Sequence, residues 1–280
     1  MAKKRPHHKR THNEIIRAIE KSLDLLKQDL IPILVQQEVI SSTSKINNPA
    51  SYKPADPNSQ ADLQAEMADS MKLLVEGIAN LFNNPEYADT KIYIGSFELP
   101  AHGLVLAVQS PFFKKSLGGN FQESKTKQFR FTEGSAHAHW RVFEYMYTGN
   151  YSEGPSKLLD VQDDSELVKD VRVYTTADFF LMDELKAYAL DKFKSKLQQL
   201  WVSELFVDCI REVYSSTNES DEGIRGAVVQ AAKEHLNDLW LKKPFQALVR
   251  EVGEFAVDLV AKFRVSNASS VNTGFGSQFK

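Results

Sequence analysis

The sequence predicts an α+β fold, in which a small sheet of short strands is covered by helices and followed by an all-helical region. Short central stretches alternate apolar and polar residues, as half-buried strands do. Stretches with apolar residues at steps of three and four surround them, and the last third of the chain contains only these. Strands this short bury apolar surface only when helices cover their sheet.

The composition is that of an ordinary globular protein, with 42% hydrophobic and 25% charged residues. The formal net charge is −3, so no global field favours a nucleic-acid partner. Cys209 is the only cysteine, which excludes an intramolecular disulfide and fits a reducing compartment, the nucleus or the cytoplasm. No apolar run approaches the roughly 18 residues that span a bilayer, so we expect no membrane association.

Three segments precede the central region. Residues 1–12 form a basic arm without an acid, and its cations are Lys3, Lys4, Arg5, Lys9 and Arg10. Two interpretations of the arm stay open: a nuclear import signal, or a solvated charged terminus. Residues 13–38 predict an amphipathic helix, and residues 39–68, rich in Ser, Asn and Ala, predict a flexible linker.

The elements of residues 69–198 follow in order. An apolar helical stripe contains Met71, Leu74, Val75 and Ile78. "DTKIYIG" and "SFELP" predict a hairpin, "HGLVLAVQ" and "PFFKKSL" two short helices, and "KQFRFTE" a further strand. In the first short helix, we expect Leu104 and Leu106 to be buried. A helix through Trp140 then ends at Gly149.

The second half of the chain begins with an acidic, polar loop at residues 152–169. Two helices follow, with a break around Leu181 to Asp183. Three more helical stripes predict an all-helical extension over residues 199–264, and the Ser-, Asn- and Gly-rich residues 265–280 predict a disordered tail.

No constellation for catalysis, a cofactor or a metal is recognisable. A glycine-rich phosphate loop, a nucleophile elbow and an H-E-x-x-H motif are all missing from the sequence. Cys209 lies on an apolar helical face, where a buried small hydrophobe is expected. We expect His102 to be a partly buried residue bonded to backbone at a strand–helix junction, and His137 and His139 to be polar residues at the start of a helix. The sequence therefore predicts no enzyme and no small-molecule substrate.

The order of the central motifs resembles the BTB/POZ domain family over roughly residues 70–198. The matching positions are Asp89 before a strand, "LPAH" ending at His102, "SPFF" with Phe112 and Phe113, "FQES", and "YMYTG" with Tyr147 and Gly149. The helical region that follows is similar to the C-terminal part of BTB proteins common in fungi.

The resemblance implies a non-catalytic adaptor or scaffold that binds other proteins. It implies a homodimer through the first helix, at Met71, Leu74, Val75 and Ile78. For some members it implies a substrate adaptor of a cullin-three RING ubiquitin ligase, with Phe121 and Glu123 in the cullin-binding loop. For these two residues the alternative is that Phe121 packs into its own core and Glu123 caps a turn. The alternative function is a nuclear transcription- or chromatin-associated regulator that acts through BTB-mediated self-association.

One position departs from the family pattern. Many members that recruit co-repressors have Lys or Arg directly after the histidine, paired with the strand aspartate, whereas this chain has Gly103. We therefore expect Asp89 to lack its usual partner.

Overall fold

A computed structural model of the chain describes residues 69–271, with side chains described up to residue 264. Described residues from Met71 onward belong to one compact unit. The predicted basic arm, N-terminal helix and linker lie outside the described residues, as does the tail from residue 272.

The described residues contain twelve helices and three strands. In chain order these are α1 (69–79), β1 (Thr90–Ile94), β2 (Phe97–Ala101), α2 (Gly103–Gln109), α3 (Pro111–Gly118), α4 (Gln122–Thr126), β3 (Gln128–Phe131), α5 (Ala136–Thr148), α6 (Val168–Phe179), α7 (Asp183–Leu200), α8 (Leu205–Ser216), α9 (Glu222–Glu234), α10 (Leu236–Trp240), α11 (Lys243–Glu251) and α12 (Gly253–Val271).

The three strands form one sheet in the order β2-β1-β3. Strands β1 and β2 pair antiparallel, with Ile92 opposite Leu99, so the predicted hairpin is confirmed. Its turn contains Gly95 with a φ of 58°, a conformation that glycine adopts without steric cost. Strand β3 pairs parallel with β1, with Ile92 opposite Phe129. A parallel pair needs a long crossover, which helices α2 to α4 supply.

Aromatic rings fill the core between the sheet and the helices. The buried ring of Phe113 lies 5.0 Å from the rings of Phe129 and Phe180. Helix α3 begins as predicted, with Pro111 in its first turn and the Ser110 hydroxyl accepting from the Phe113 N–H. In α2, Leu106 is buried but Leu104 is exposed, which corrects the expectation for Leu104. Leu106 shares its inward face with Gly103, three residues away, whereas Leu104 lies on another face of this short helix.

Helices α5 and α6 both end in the left-handed backbone conformation. Helix α5 ends at Gly149 with a φ of 70°, as predicted. The predicted break between α6 and α7 is also confirmed, and it places Leu181 at a φ of 58°. The Met182 N–H donates to the Ala177 carbonyl at 2.9 Å, which closes a Schellman-type end. Leucine is strained in this conformation, in which glycine is usual.

The acidic loop before α6 is held by buried cations. Arg141 is buried in α5, and its guanidinium donates to Asp163 at 2.6 Å and to the Ser152 carbonyl at 3.1 Å. Lys169 donates to the Glu153 carbonyl at 2.6 Å. Burial would raise the pKa of Asp163, but the bond and the charge of Arg141 outweigh it and lower that pKa. The loop therefore has fixed ionic partners despite its lack of apolar periodicity.

The helical extension packs directly on helices α6 and α7. Arg172 donates to Glu212 of α8 at 2.7 Å, and the Tyr174 hydroxyl donates to Asp221 at 2.6 Å. Cys209 is buried as predicted, and burial raises the pKa of its thiol. Helix α12 continues to Val271, so the first residues of the predicted tail have a helical backbone.

The strained residue at the α6–α7 break gives a test of the backbone geometry. We expect Leu181→Gly to raise the free energy of unfolding by about 0.5–1 kcal/mol, because glycine removes the left-handed strain and the leucine side chain is largely exposed. The measurement is urea unfolding of the full chain followed by circular dichroism.

Gly149→Ala is the matched control at the left-handed end of α5. A Cβ at Gly149 would meet nothing within 4 Å, so the expected loss of about 1 kcal/mol comes from the backbone alone. A chain destabilised by both substitutions would contradict the assignment of strain to Leu181.

Candidate functional site

The histidine of the signature motif lies at the junction between β2 and α2, and it is bonded on three sides. The His102 backbone N–H donates to the Tyr147 hydroxyl at 2.9 Å. The ring Nδ1 lies 3.0 Å from the same hydroxyl, and Nε2 lies 2.9 Å from the Glu86 carbonyl. Residues from α5, from the β2–α2 junction and from the segment before β1 therefore meet at one imidazole.

One tautomer satisfies every group in this arrangement. With the proton on Nε2, the ring donates to the Glu86 carbonyl and Nδ1 accepts from the Tyr147 hydroxyl. Burial raises the pKa of Tyr147, so its hydroxyl keeps the proton that it donates. The expectation of a His102 bonded to backbone is confirmed, with the tyrosine hydroxyl as an additional partner. Because both ring nitrogens are bonded within the fold, His102 has a structural role.

Among the described residues, Asp89 pairs with no Lys or Arg, as expected, and neutral donors take their place. Its carboxylate accepts from the Gly103 backbone N–H at 2.6 Å and from the Thr90 hydroxyl at 3.0 Å. A Cβ at Gly103 would lie 3.2 Å from both Asp89 carboxylate oxygens, closer than ordinary packing. Glycine thus allows a direct contact between Asp89 and the first turn of α2, in place of a charged pair.

The two phenylalanines of "SPFF" have different environments. Phe113 is fully buried, whereas Phe112 is only partly buried and its ring lies 5.2 Å from the ring of Phe179. Phe179 is 57% exposed, and the neighbouring Leu181 is also exposed. The sequence patterns did not predict this apolar surface. The consecutive pair Phe179-Phe180 could have indicated it, because adjacent residues point in different directions and only one of the two rings can face the core of the domain.

The predicted cullin-type loop is ordered and exposes its aromatic residue. Phe121 directly precedes the short helix α4 and is 49% exposed, so the alternative that it packs into its own core is wrong. Its carbonyl accepts from the Ser124 hydroxyl at 2.7 Å. The Glu123 carbonyl, not its carboxylate, accepts from the Lys127 N–H at 2.8 Å and closes the helix. Among the described residues, no hydrogen bond or ion pair engages the Glu123 carboxylate.

The predicted dimer helix α1 divides its apolar residues between two roles. Met71 and Val75 are exposed, together with Leu73, which the prediction did not include. Leu74 is half-buried, and Ile78 packs against the core. Ile78 therefore also contacts its own domain, and the assignment of these four residues to a dimer interface stays a prediction.

The remaining titratable candidates are not arranged as a metal site. Within residues 69–264, no group of three or more His, Cys, Asp or Glu side chains could hold a metal ion. His137 and His139, expected as polar residues at the start of a helix, are buried there. His137 lies 3.0 Å from the Val161 carbonyl, and His139 lies 2.9 Å from the Ser135 carbonyl. No helix in the described part of the chain is long and apolar enough to cross a membrane.

Comparison with known proteins finds similarity to several longer chains. Kelch-like protein 40 of Xenopus tropicalis is 23% identical over 128 residues, which are 44% of this chain and 21% of the relative. Kelch-like protein 30 of Mus musculus is 22% identical over 66% of this chain and 32% of the relative. Human Kelch repeat and BTB domain-containing protein 2 is 24% identical over 56% and 29%. The chain thus spans about a fifth to a third of the length of these relatives.

Among solved structures, the BTB (Tramtrack and Bric a brac) domain of human gigaxonin aligns at 17% identity with a TM-score of 0.29, covering 51% of this chain and 98% of that domain. The family model of the BTB/POZ domain matches residues 78–197. These residues therefore form a BTB/POZ domain, a class of domain that mediates protein–protein interaction and dimerisation.

The imidazole junction yields a stability prediction. Tyr147→Phe should lower the free energy of unfolding by about 2–3 kcal/mol, because the His102 N–H and Nδ1 both lose their buried partner. Thermal or urea unfolding of the full chain measures the loss.

Tyr145→Phe is the control on the same helix, since its ring contacts Tyr188 and it is only partly buried. We expect a change of about 0.5 kcal/mol or less for this variant. Equal effects of the two substitutions would show that the Tyr147 hydroxyl does not stabilise the junction.

Proposed function

We propose that the protein is a non-catalytic adaptor that uses its BTB/POZ domain to hold other proteins, with the Phe121 to Glu123 loop docking on a cullin-three scaffold. The observation that carries the proposal is the exposed ring of Phe121 on an ordered loop, beside a carboxylate without a partner among the described residues. The similarity to Kelch-like proteins is consistent with this function.

The loop is suited to anchoring because its backbone is already constrained. The Ser124 hydroxyl fixes the Phe121 carbonyl, and Lys127 ends α4 in the left-handed conformation with a φ of 53°. An aromatic residue held in this way loses little conformational freedom when a partner covers it. Burying an exposed phenylalanine side chain completely contributes roughly 1.5–3 kcal/mol, so one such ring can dominate a contact.

The charge around the loop indicates the chemistry of the partner surface. Exposed lysines precede and follow Phe121, and they are Lys114, Lys115 and Lys125. Glu123 is the one acid between residues 111 and 127. A partner would present an apolar pocket for the ring, rimmed by acidic side chains and with a donor for Glu123.

Self-association is the second part of the proposal. Met71 and Val75, one turn apart on α1, are exposed on one face and form an apolar patch that a second copy of the domain can cover. Ile78 contributes to the stability of the domain itself, since it packs on the core.

The cullin contact is tested with a purified cullin-three N-terminal domain. Phe121→Ala combined with Glu123→Ala should weaken binding at least about tenfold, because the anchor and its charged neighbour are both removed. Calorimetry with the full chain measures the affinity.

The matched control is Trp240→Ala, since Trp240 is 48% exposed and Phe121 is 49% exposed, but Trp240 lies in the helical extension. We expect this control to bind as the wild type does. Equal affinity of the loop variant and the wild type, or no binding by the wild type, would reject the cullin proposal.

Self-association is tested by light scattering. The wild type should be a dimer, and Met71→Asp combined with Val75→Asp should shift it to a monomer, because two carboxylates would be buried without partners. Leu158→Asp with Val161→Asp introduces the same charge at exposed apolar positions in the acidic loop and should leave the dimer intact. A monomeric wild type would refute this part of the proposal.

A further inference from the structure

Strand β3 has a free edge within the described residues. The sheet order places β3 at one side, and among residues 69–271 it pairs only with β1. The carbonyls of Lys127 and Phe131 accept from the N–H groups of Lys91 and Gly95, at 2.9 and 3.0 Å. Because backbone groups alternate in direction along a strand, the N–H and carbonyl of Arg130 face the open side. The other edge, β2, contains Pro100, which has no N–H to offer.

A cleft lies between this free edge and helix α6. Its volume is about 390 Å³, and four consecutive residues, Arg130 to Glu133, form one side. Thr175, Thr176 and Phe179 of α6 form the other side. The volume lies within the range of roughly 300–1,000 Å³ that is typical of ligand sites.

The Arg130 side chain leaves the edge open. Its guanidinium lies 3.8 Å from the centroid of the Tyr93 ring, on the neighbouring strand β1. This cation–π contact holds the side chain over the neighbouring strand β1. The backbone of Arg130 therefore stays accessible to a new hydrogen-bonding partner.

Three polar side chains that line the cleft offer acceptors to a ligand. The Thr175 and Thr176 hydroxyls both donate to the Arg172 carbonyl, at 3.1 and 2.7 Å, so their oxygens retain only acceptor capacity. His139 donates from Nδ1 to the Ser135 carbonyl, which leaves Nε2 as an acceptor. Burial lowers the pKa of His139, so the ring is neutral at physiological pH.

The apolar lining is aromatic. Phe131 stacks on His139 at 5.0 Å with an interplanar angle of 20°, and Phe179 is largely exposed. A ligand that matches these features combines an extended backbone, an aromatic ring and a hydrogen-bond donor on that ring.

We propose that this cleft binds an extended peptide segment of a partner protein, which pairs with the Arg130 backbone as a fourth strand and places a tyrosine or tryptophan against Phe179 and Phe131. The strand pairing supplies affinity and the aromatic anchor supplies specificity. This surface goes beyond the proposed function, since it requires neither the Phe121 loop nor α1.

The experiment selects random peptides displayed on phage against the full chain and measures the enriched peptides by calorimetry. Arg130→Pro removes the outward N–H at an edge position that tolerates proline, and it should weaken binding about tenfold. Arg130→Ala keeps the N–H and is the matched control, with affinity expected within about twofold of the wild type.

Two further measurements separate this site from others. Phe179→Ala should weaken peptide binding about tenfold through loss of the aromatic contact, while Phe121→Ala with Glu123→Ala should bind the peptides normally. Amide hydrogen exchange at Arg130 should be fast in the free chain and slowed by the peptide. If Arg130→Pro fails to fold, Phe179→Ala and the exchange at Arg130 decide the question.

Failure to enrich any tyrosine- or tryptophan-containing peptide would overturn the proposal. Peptides that bind wild type, Arg130→Pro and Phe179→Ala equally would also overturn it, since they would occupy another surface. Loss of cullin binding in the Phe121 variant bears only on the adaptor proposal and leaves this one unchanged.

Discussion

The hydrogen bonds between His102, Tyr147 and the Glu86 carbonyl hold the first half of the domain together. They join the end of β2 to the last turn of α5 and to the segment that precedes β1. Because His102 immediately precedes α2, the same contact sets the direction of that helix, and the Asp89 carboxylate secures its first N–H. The position of α3, and of the loop with Phe121 after it, follows from this junction.

A few polar residues are buried in this domain, and several apolar residues are exposed at its surface. Buried polar residues such as His102 and Arg141 are bonded within the fold, so they stabilise a single arrangement of strands, helices and loop. Exposed apolar residues, among them Phe121 and Phe179, lie on ordered backbone at the surface. Such a division is expected of a protein whose activity is contact with other proteins, since anchors must be exposed before a partner covers them.

Local signals in the sequence were sufficient for the elements and their ends. The hairpin, the helix starting at Pro111, the stop at Gly149 and the break near Leu181 each depend on a few neighbouring residues, and all are confirmed. The parallel pairing of β3 could not be predicted, because periodicity does not specify which strands are neighbours. Leu104 was misplaced for a related reason: in a helix of two turns, a shift of one residue changes the buried face. Asp89 gained its partner through a backbone N–H, which no side-chain pattern reveals.

We propose that this domain acts through its exposed loop, which the closed core of strands and helices holds in place. Amide hydrogen exchange of the full chain, with and without the cullin-three N-terminal domain, tests it most directly. We expect the cullin-three domain to slow exchange over residues 119–127 and to leave the already protected amides of β1 and α5 unchanged. Binding that protects only the helical extension, or none of these residues, would contradict it.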